Sequence, residues 1–108
     1  DYCGMEAYAG GADGWLSGLP AILPKQCRAI QDAVQSGDLE ASRKAMNNII
    51  PFVNYFLYDK KNGEPHWLEV CNYTLTAQGL DVGLPRRPAG DLDDANKKKI
   101  EKLLAEME

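Results

Sequence analysis

The stretch GGADGWLSGLPAILP, Gly10 to Pro24, constrains this chain more than any other. Glycines surround Trp15, Leu16 and Ser17, and two prolines follow. GWLS is too short for a helix of its own and sits between glycines, so the pattern predicts a strand. A lone strand leaves its backbone donors and acceptors unpaired. Within the chain only Asp1-Tyr2-Cys3 reads as a neighbour, as the tail of a second strand. The residues MEAYAGGAD between Gly4 and Gly14 are fewer than the dozen or so that a parallel crossover takes, roughly speaking. The rest of the sheet is therefore expected outside these residues.

After that stretch, four segments read as helical. Over residues 24–36, Cys27, Ile30 and Val34 recur at helical spacing, with Pro24 suited to the first turn and Gly37 to the stop. Asp38 is placed to cap the next helix, with Glu40 in its first turn. Leu39, Met46, Ile49, Val53 and Phe56 form its expected apolar stripe. The stripe runs on past Pro51, which predicts a kink rather than an end. KKNGEP reads as a turn, and Pro65 as the start of a third helix with Leu68, Cys71 and Leu75 inward and Gly79 as its stop. LDVGLPRRPAG is expected to be irregular. A fourth helix is predicted from about Asp91, with Asp91, Asp93 and Asp94 at its positive end. Ala95, Ile100, Leu103, Leu104 and Met107 form its expected buried face, and Glu106 and Glu108 oppose the dipole at its other end.

Composition narrows the function classes. A chain of 108 residues makes one domain at most. Twelve Lys and Arg against 16 Asp and Glu leave a net charge of -4, which gives no electrostatic pull toward nucleic acid or an anionic membrane. No apolar run approaches the roughly 20 residues that span a bilayer. Asp1-Tyr2-Cys3 lacks the basic and apolar regions of a signal peptide, and an opening on Asp rather than Met is expected to reflect truncation. Cys3, Cys27 and Cys71 include no Cys-x-x-Cys pair, so neither a disulfide framework nor a zinc site is expected. Reduced thiols in a cytoplasmic protein are the expectation.

The order of these features resembles the carboxyl-terminal part of the dihydrodipicolinate synthase / N-acetylneuraminate lyase family. Gly4 stands where that family has a glycine ending its seventh strand. GADGWLSG matches its Gly-x-x-Gly before an apolar eighth strand, and QSGDLEASRKAM its Gly-Asp helix start, with Ser42 in place of the usual Ala. Ile49-Ile50-Pro51-Phe52, then Pro65, Gly79 and Arg86-Arg87-Pro88, continue the correspondence to the end of the chain. Trp67 departs from it, since the family usually has Lys there.

The resemblance implies a fold that is mostly α for the isolated chain and, in a parent, the end of a (β/α)8 TIM barrel. The end of strand 7 and strand 8 would lie in residues 1–36, and residues 37–108 would be a carboxyl-terminal helical extension. It implies a class I lyase or aldolase whose lysine forms a Schiff base with pyruvate or a related 2-keto acid, with a tyrosine relaying the proton and no metal or organic cofactor. The family's lysine and tyrosine would fall upstream of Asp1, so no catalytic residue is assigned here. Gly4 and Leu16 are the implied pocket-lining residues, followed by Ser17 and Gly18, because such sites sit at the carboxyl ends of barrel strands. A homo-oligomer is expected by resemblance, with Phe52, Tyr55 and Tyr58 as exposed apolar side chains available for packing on the barrel or a subunit.

Plainer readings stand beside these. Gly4, Gly14 and Gly18 also read as turn glycines. Ser17 has no His/Asp context, and His66, the single histidine, reads as a surface or capping residue. Lys25, at a helix start among polar neighbours, reads as solvated, and so does the run NKKKIEK. Arg86 and Arg87 suit a carboxylate but read first as anchors for the irregular segment. The register of Glu6 leaves its role open. Trp15 is expected to point away from Leu16, toward an outer helix. A free-standing helical module that binds a partner without catalysis is the competing function.

Overall fold

The computed structural model describes residues 1–58 and 67–107. Among them are six helices: α1 (Gly4–Ala9), α2 (Gly18–Ile22), α3 (Pro24–Gln35), α4 (Leu39–Tyr58), α5 (Trp67–Ala77) and α6 (Asp94–Glu106). The expected turn at 60–65, the helix start at Pro65, His66 and Glu108 lie outside the described residues. The chain divides into two compact units, Asp1–Val53 and Asn54–Glu108.

The expected strands do not form. Among the described residues there is no strand. A strand is stabilised by the ladder it makes with a neighbour, and the supposed neighbour goes elsewhere: Tyr2 and Cys3 turn into α1. MEAYA is composed of residues that tolerate or favour helix, and the segment coils instead of crossing over. Extended backbone survives at Ser17, with φ -161° and ψ 165°. That residue serves as the N-cap of α2, its Oγ accepting the Leu19 N–H at 3.2 Å.

In the amino-terminal unit, α3 packs against both α1 and α2. Pro24 at the first turn starts α3, and Gly37 follows it at φ 77°. Leu19, Ile22, Leu23, Cys27 and Ile30 are buried, as are Met46, Ile49, Phe52 and Val53 on α4. Each of the Leu, Ile, Met, Phe and Val side chains contributes about 1.5–3 kcal/mol on burial. Asp38 caps α4 as expected, accepting the Ala41 N–H at 3.0 Å. Ser42 is buried but satisfied, its hydroxyl donating to the Asp38 carbonyl at 2.7 Å. The helix continues through Pro51, as its stripe predicts. Leu39, placed on that stripe, is exposed.

In the carboxyl-terminal unit, α5 packs against α6. Its buried residues are Val70 and Thr74, while Leu68 is exposed and Cys71 and Leu75 are half-buried, so the expected face is rotated. α6 begins at Asp94 rather than Asp91: Asp93 is the cap, accepting the Asn96 N–H at 2.8 Å, and Asp91 instead pairs with Lys97 at 2.7 Å. Ile100 is buried, Leu103, Leu104 and Met107 are half-buried, and Ala95 is exposed.

Phe52 and Tyr55, expected to be exposed, are buried within the chain. Tyr55 donates to Asn96 Oδ1 at 2.9 Å, and burial together with the Asp93 charge pushes its phenol up to about 12. The side chain of Tyr58 lies outside the description. No helix among the described residues is long and apolar enough to cross a membrane.

Candidate functional site

The expected site residues all fall in the amino-terminal unit, and they have different surroundings. Gly4, the first residue of α1, is buried. A Cβ built on it would lie 2.8 Å from Cζ3, 2.9 Å from Cη2 and 3.2 Å from Cε3 of Trp15. Interiors pack to contact distance and no closer, so the indole occupies space that glycine alone leaves open. Tyr8 follows Gly4 at i+4, on the same helical face, and meets the indole edge-on with ring centroids 6.5 Å apart and an interplanar angle of 76°.

Two clefts open around this cluster. One of about 220 Å³ is lined by Asp1, Cys3, Gly4, Ala7, Tyr8, Gly14 and Trp15. The other, of about 210 Å³, lies between Tyr8, Trp15 and the start of α3 at Pro24, Cys27 and Arg28. Trp15 thus stands beside α3, in keeping with its expected direction. Cys27 is a space-filler there: burial pushes its thiol up to about 11, away from thiolate chemistry at neutral pH.

Leu16, Ser17 and Gly18 line neither cleft. Leu16 is wholly exposed, at 104 % of its reference area. Gly18 is half-buried at the start of α2. Ser17 donates its hydroxyl to the Asp1 carboxylate while accepting from the Leu19 N–H, so both its donor and its acceptor are engaged. Glu6 and Lys25 are exposed. Among the described residues no group of three His, Cys, Asp or Glu is arranged to hold a metal. The cluster offers shape, an apolar wall and backbone edges.

A larger cleft of about 310 Å³ lies in the carboxyl-terminal unit, which holds none of the expected site residues. Its polar groups are largely committed. Lys97 pairs with Asp91, Asn72 donates to the Gly83 carbonyl at 3.2 Å, Asp81 accepts the Gly83 N–H at 2.9 Å, and Tyr73 donates to Glu101 at 2.5 Å. The hydrogen bond to Glu101, ahead of burial and neighbouring carboxylates, pushes the Tyr73 phenol up. Arg86 and Arg87 are both exposed.

The seat of Trp15 on Gly4 is the feature that sequence reasoning missed. The i, i+4 relation of Gly4 and Tyr8 was an available signal, since a small residue and a ring one turn apart make a notch on a helix face.

The profile of the dihydrodipicolinate synthetase family matches residues 1–107. The 4-hydroxy-tetrahydrodipicolinate synthase of Corynebacterium urealyticum is 27% identical over 94 residues, which are 87% of this chain and 29% of that protein. A Pseudomonas aeruginosa crystal structure ascribed to a dihydrodipicolinate synthetase superposes with a TM-score of 0.82 at 29% identity, covering 99% of this chain and 35% of the other. The dihydrodipicolinate synthase of Oceanobacillus iheyensis shares the fold, with a TM-score of 0.73 at 23% identity over 96% of this chain and 34% of that one. Both are TIM-barrel proteins. This chain spans about a third of the length of these relatives, and it belongs to the dihydrodipicolinate synthetase family.

Proposed function

We propose that this chain is the carboxyl-terminal third of a Schiff-base-forming lyase acting on pyruvate or a related 2-keto acid. Residues 1–36 close the barrel and residues 37–108 form the helical extension beyond it. Gly4, Leu16, Ser17 and Gly18 border the site, and the reacting lysine and the proton-relaying tyrosine come from residues preceding Asp1. The observation that carries this reading is the family match over residues 1–107 together with near-complete superposition on one third of a related enzyme.

The chemistry asks little of this part of the protein. The lysine amine adds to the ketone and water leaves, giving an iminium. Loss of a proton from the neighbouring carbon gives an enamine, which forms a carbon–carbon bond with an aldehyde; hydrolysis then returns the amine. In the cleavage direction the same steps run backwards. The rim residues take no proton in these steps. They bound the volume in which the keto acid sits. The assembled enzyme is proposed to be a cytoplasmic homo-oligomer that uses no metal.

The free-standing module is favoured by one observation: the glycine-bounded segment leaves no ladder unpaired, and the helices bury their own core. The lone-strand reason for expecting missing backbone is thereby lost, and the lyase reading rests on the family match instead. Borohydride reduction with pyruvate separates the two. The chain alone should give no adduct. The polypeptide extended by the coding sequence before Asp1 should gain one reduced pyruvate on an upstream lysine, by mass spectrometry. No adduct on the extended polypeptide, or an adduct on Lys25, would sink the assignment.

A further inference from the structure

We propose that Trp15 and Ser17 are positioning residues that hold Leu16 from both sides, Trp15 through its seat on Gly4 and Ser17 through its hydrogen bond to Asp1. The proposal rests on the reading that Leu16 borders the keto acid site. Three observations carry it. The indole lies where a Cβ on Gly4 would be, at 2.8 Å from Cζ3. The Ser17 hydroxyl donates to the Asp1 carboxylate and accepts from the first turn of α2. Leu16, between these two residues, is wholly exposed.

Both anchors land on the same short segment, Asp1 to Gly4. The backbone of Leu16 is therefore fixed to that segment at two points, one apolar and one polar, while its own side chain makes no claim on the core. Gly4 is distinctive in this respect. A Cβ at Gly14, Gly37, Gly79, Gly83 or Gly90 would meet nothing within 4 Å. The glycine at position 4 is thus required by the indole, and its influence on the site passes through Trp15. A backbone held this way fixes where the Leu16 side chain starts from, so the ligand does not have to order the segment that carries it.

The test is a double-mutant cycle in the extended polypeptide that forms the pyruvate adduct. It compares kcat/KM for pyruvate and for 2-oxobutyrate in Gly4→Ala, Trp15→Val and the double variant. Each single change should shift the ratio of the two substrates by about 10-fold, the scale on which a pocket resolves one methylene. The double variant should shift it no further than the larger single, because both remove the same contact. It also relieves the collision, so it remains measurable where Gly4→Ala folds poorly. Ser17→Ala should move the ratio in the same sense and Ser17→Thr restore it. Fully additive shifts would mean that Gly4 meets the substrate by itself, and would overturn the proposal.

A second arm needs no substrate. In the present chain, the Trp15 Cζ3–H and Cη2–H resonances should shift in Gly4→Ala; unmoved resonances overturn the seat. Failure of the wild-type extended polypeptide to trap pyruvate overturns the lyase reading and the role of Leu16, while the indole arm still decides the contact.

Discussion

Two glycine-bearing stretches of this chain look alike in sequence and work differently. Gly4 to Gly18 and Gly79 to Gly90 are both glycine-rich and both carry exposed leucine, Leu16 in the first and Leu80 and Leu84 in the second. In the first, Gly4 answers a demand for space: the backbone is helical, and Trp15 fills the room a Cβ would need. In the second the demand is angular. Gly79, Gly83 and Gly90 have φ of 93°, 76° and 145°, and a Cβ on any of them would meet nothing. Gly79 ends α5 with two bonds, its own N–H to the Thr76 carbonyl and the Leu80 N–H to the Leu75 carbonyl, each at 2.9 Å. Gly4 lets two elements meet; Gly79, Gly83 and Gly90, like Gly11 at φ 98° in the first stretch, let the chain turn.

The sharpest way to break this contrast is Gly4→Ala. Overpacking should cost about 1–3 kcal/mol, read as a lower urea midpoint with an unchanged slope. An unaltered midpoint would place the indole elsewhere and erase the distinction. Gly79→Ala should cost about 1–2 kcal/mol, from the left-handed backbone alone. Because the position is open, Gly79→Asn should recover much of that loss, whereas no side chain should rescue Gly4. At the far end of the second stretch, Asp93→Ala removes the cap of α6 and should cost about 1 kcal/mol, with faster hydrogen exchange at Asn96. The control is Gly14→Ala, beside Trp15 but with open space and no positive φ. It should stay within about 0.5 kcal/mol of the parent; a larger loss would show that the whole first stretch, and not Gly4 in particular, is tightly packed.

The elements that could be read from sequence are those whose ends carry their own chemistry. Pro24 and Gly37 bracket α3, Asp38 opens α4, and Gly79 closes α5, all by local hydrogen bonding or restricted dihedrals. The short helices α1 and α2 were not legible, because six and five residues are too few to establish a helical period. They exist by packing on α3, and a strand suits the same residues equally well on paper. The cap at Ser17 and the proline at position 20 were the clues available. The face of α5 was misjudged because Leu68, Val70, Cys71 and Leu75 distribute apolar groups around the helix, so periodicity alone selects no side. At the site, the family resemblance pointed to Gly4 as a place of close approach. The group that approaches it, eleven residues along the chain, is a matter of tertiary packing that no local pattern encodes.

The proline within α4 has a consequence for how the molecule comes apart. Pro51 carries no N–H, so the carbonyl of Asn47 has no helical donor four residues on. The division between the two compact units falls at Val53 and Asn54, just past that missing bond. The rung most easily spared therefore sits near the seam. Under strain, α4 should melt as two blocks of separate cooperativity, with amide protection falling in steps on either side of the proline rather than fading smoothly from one end.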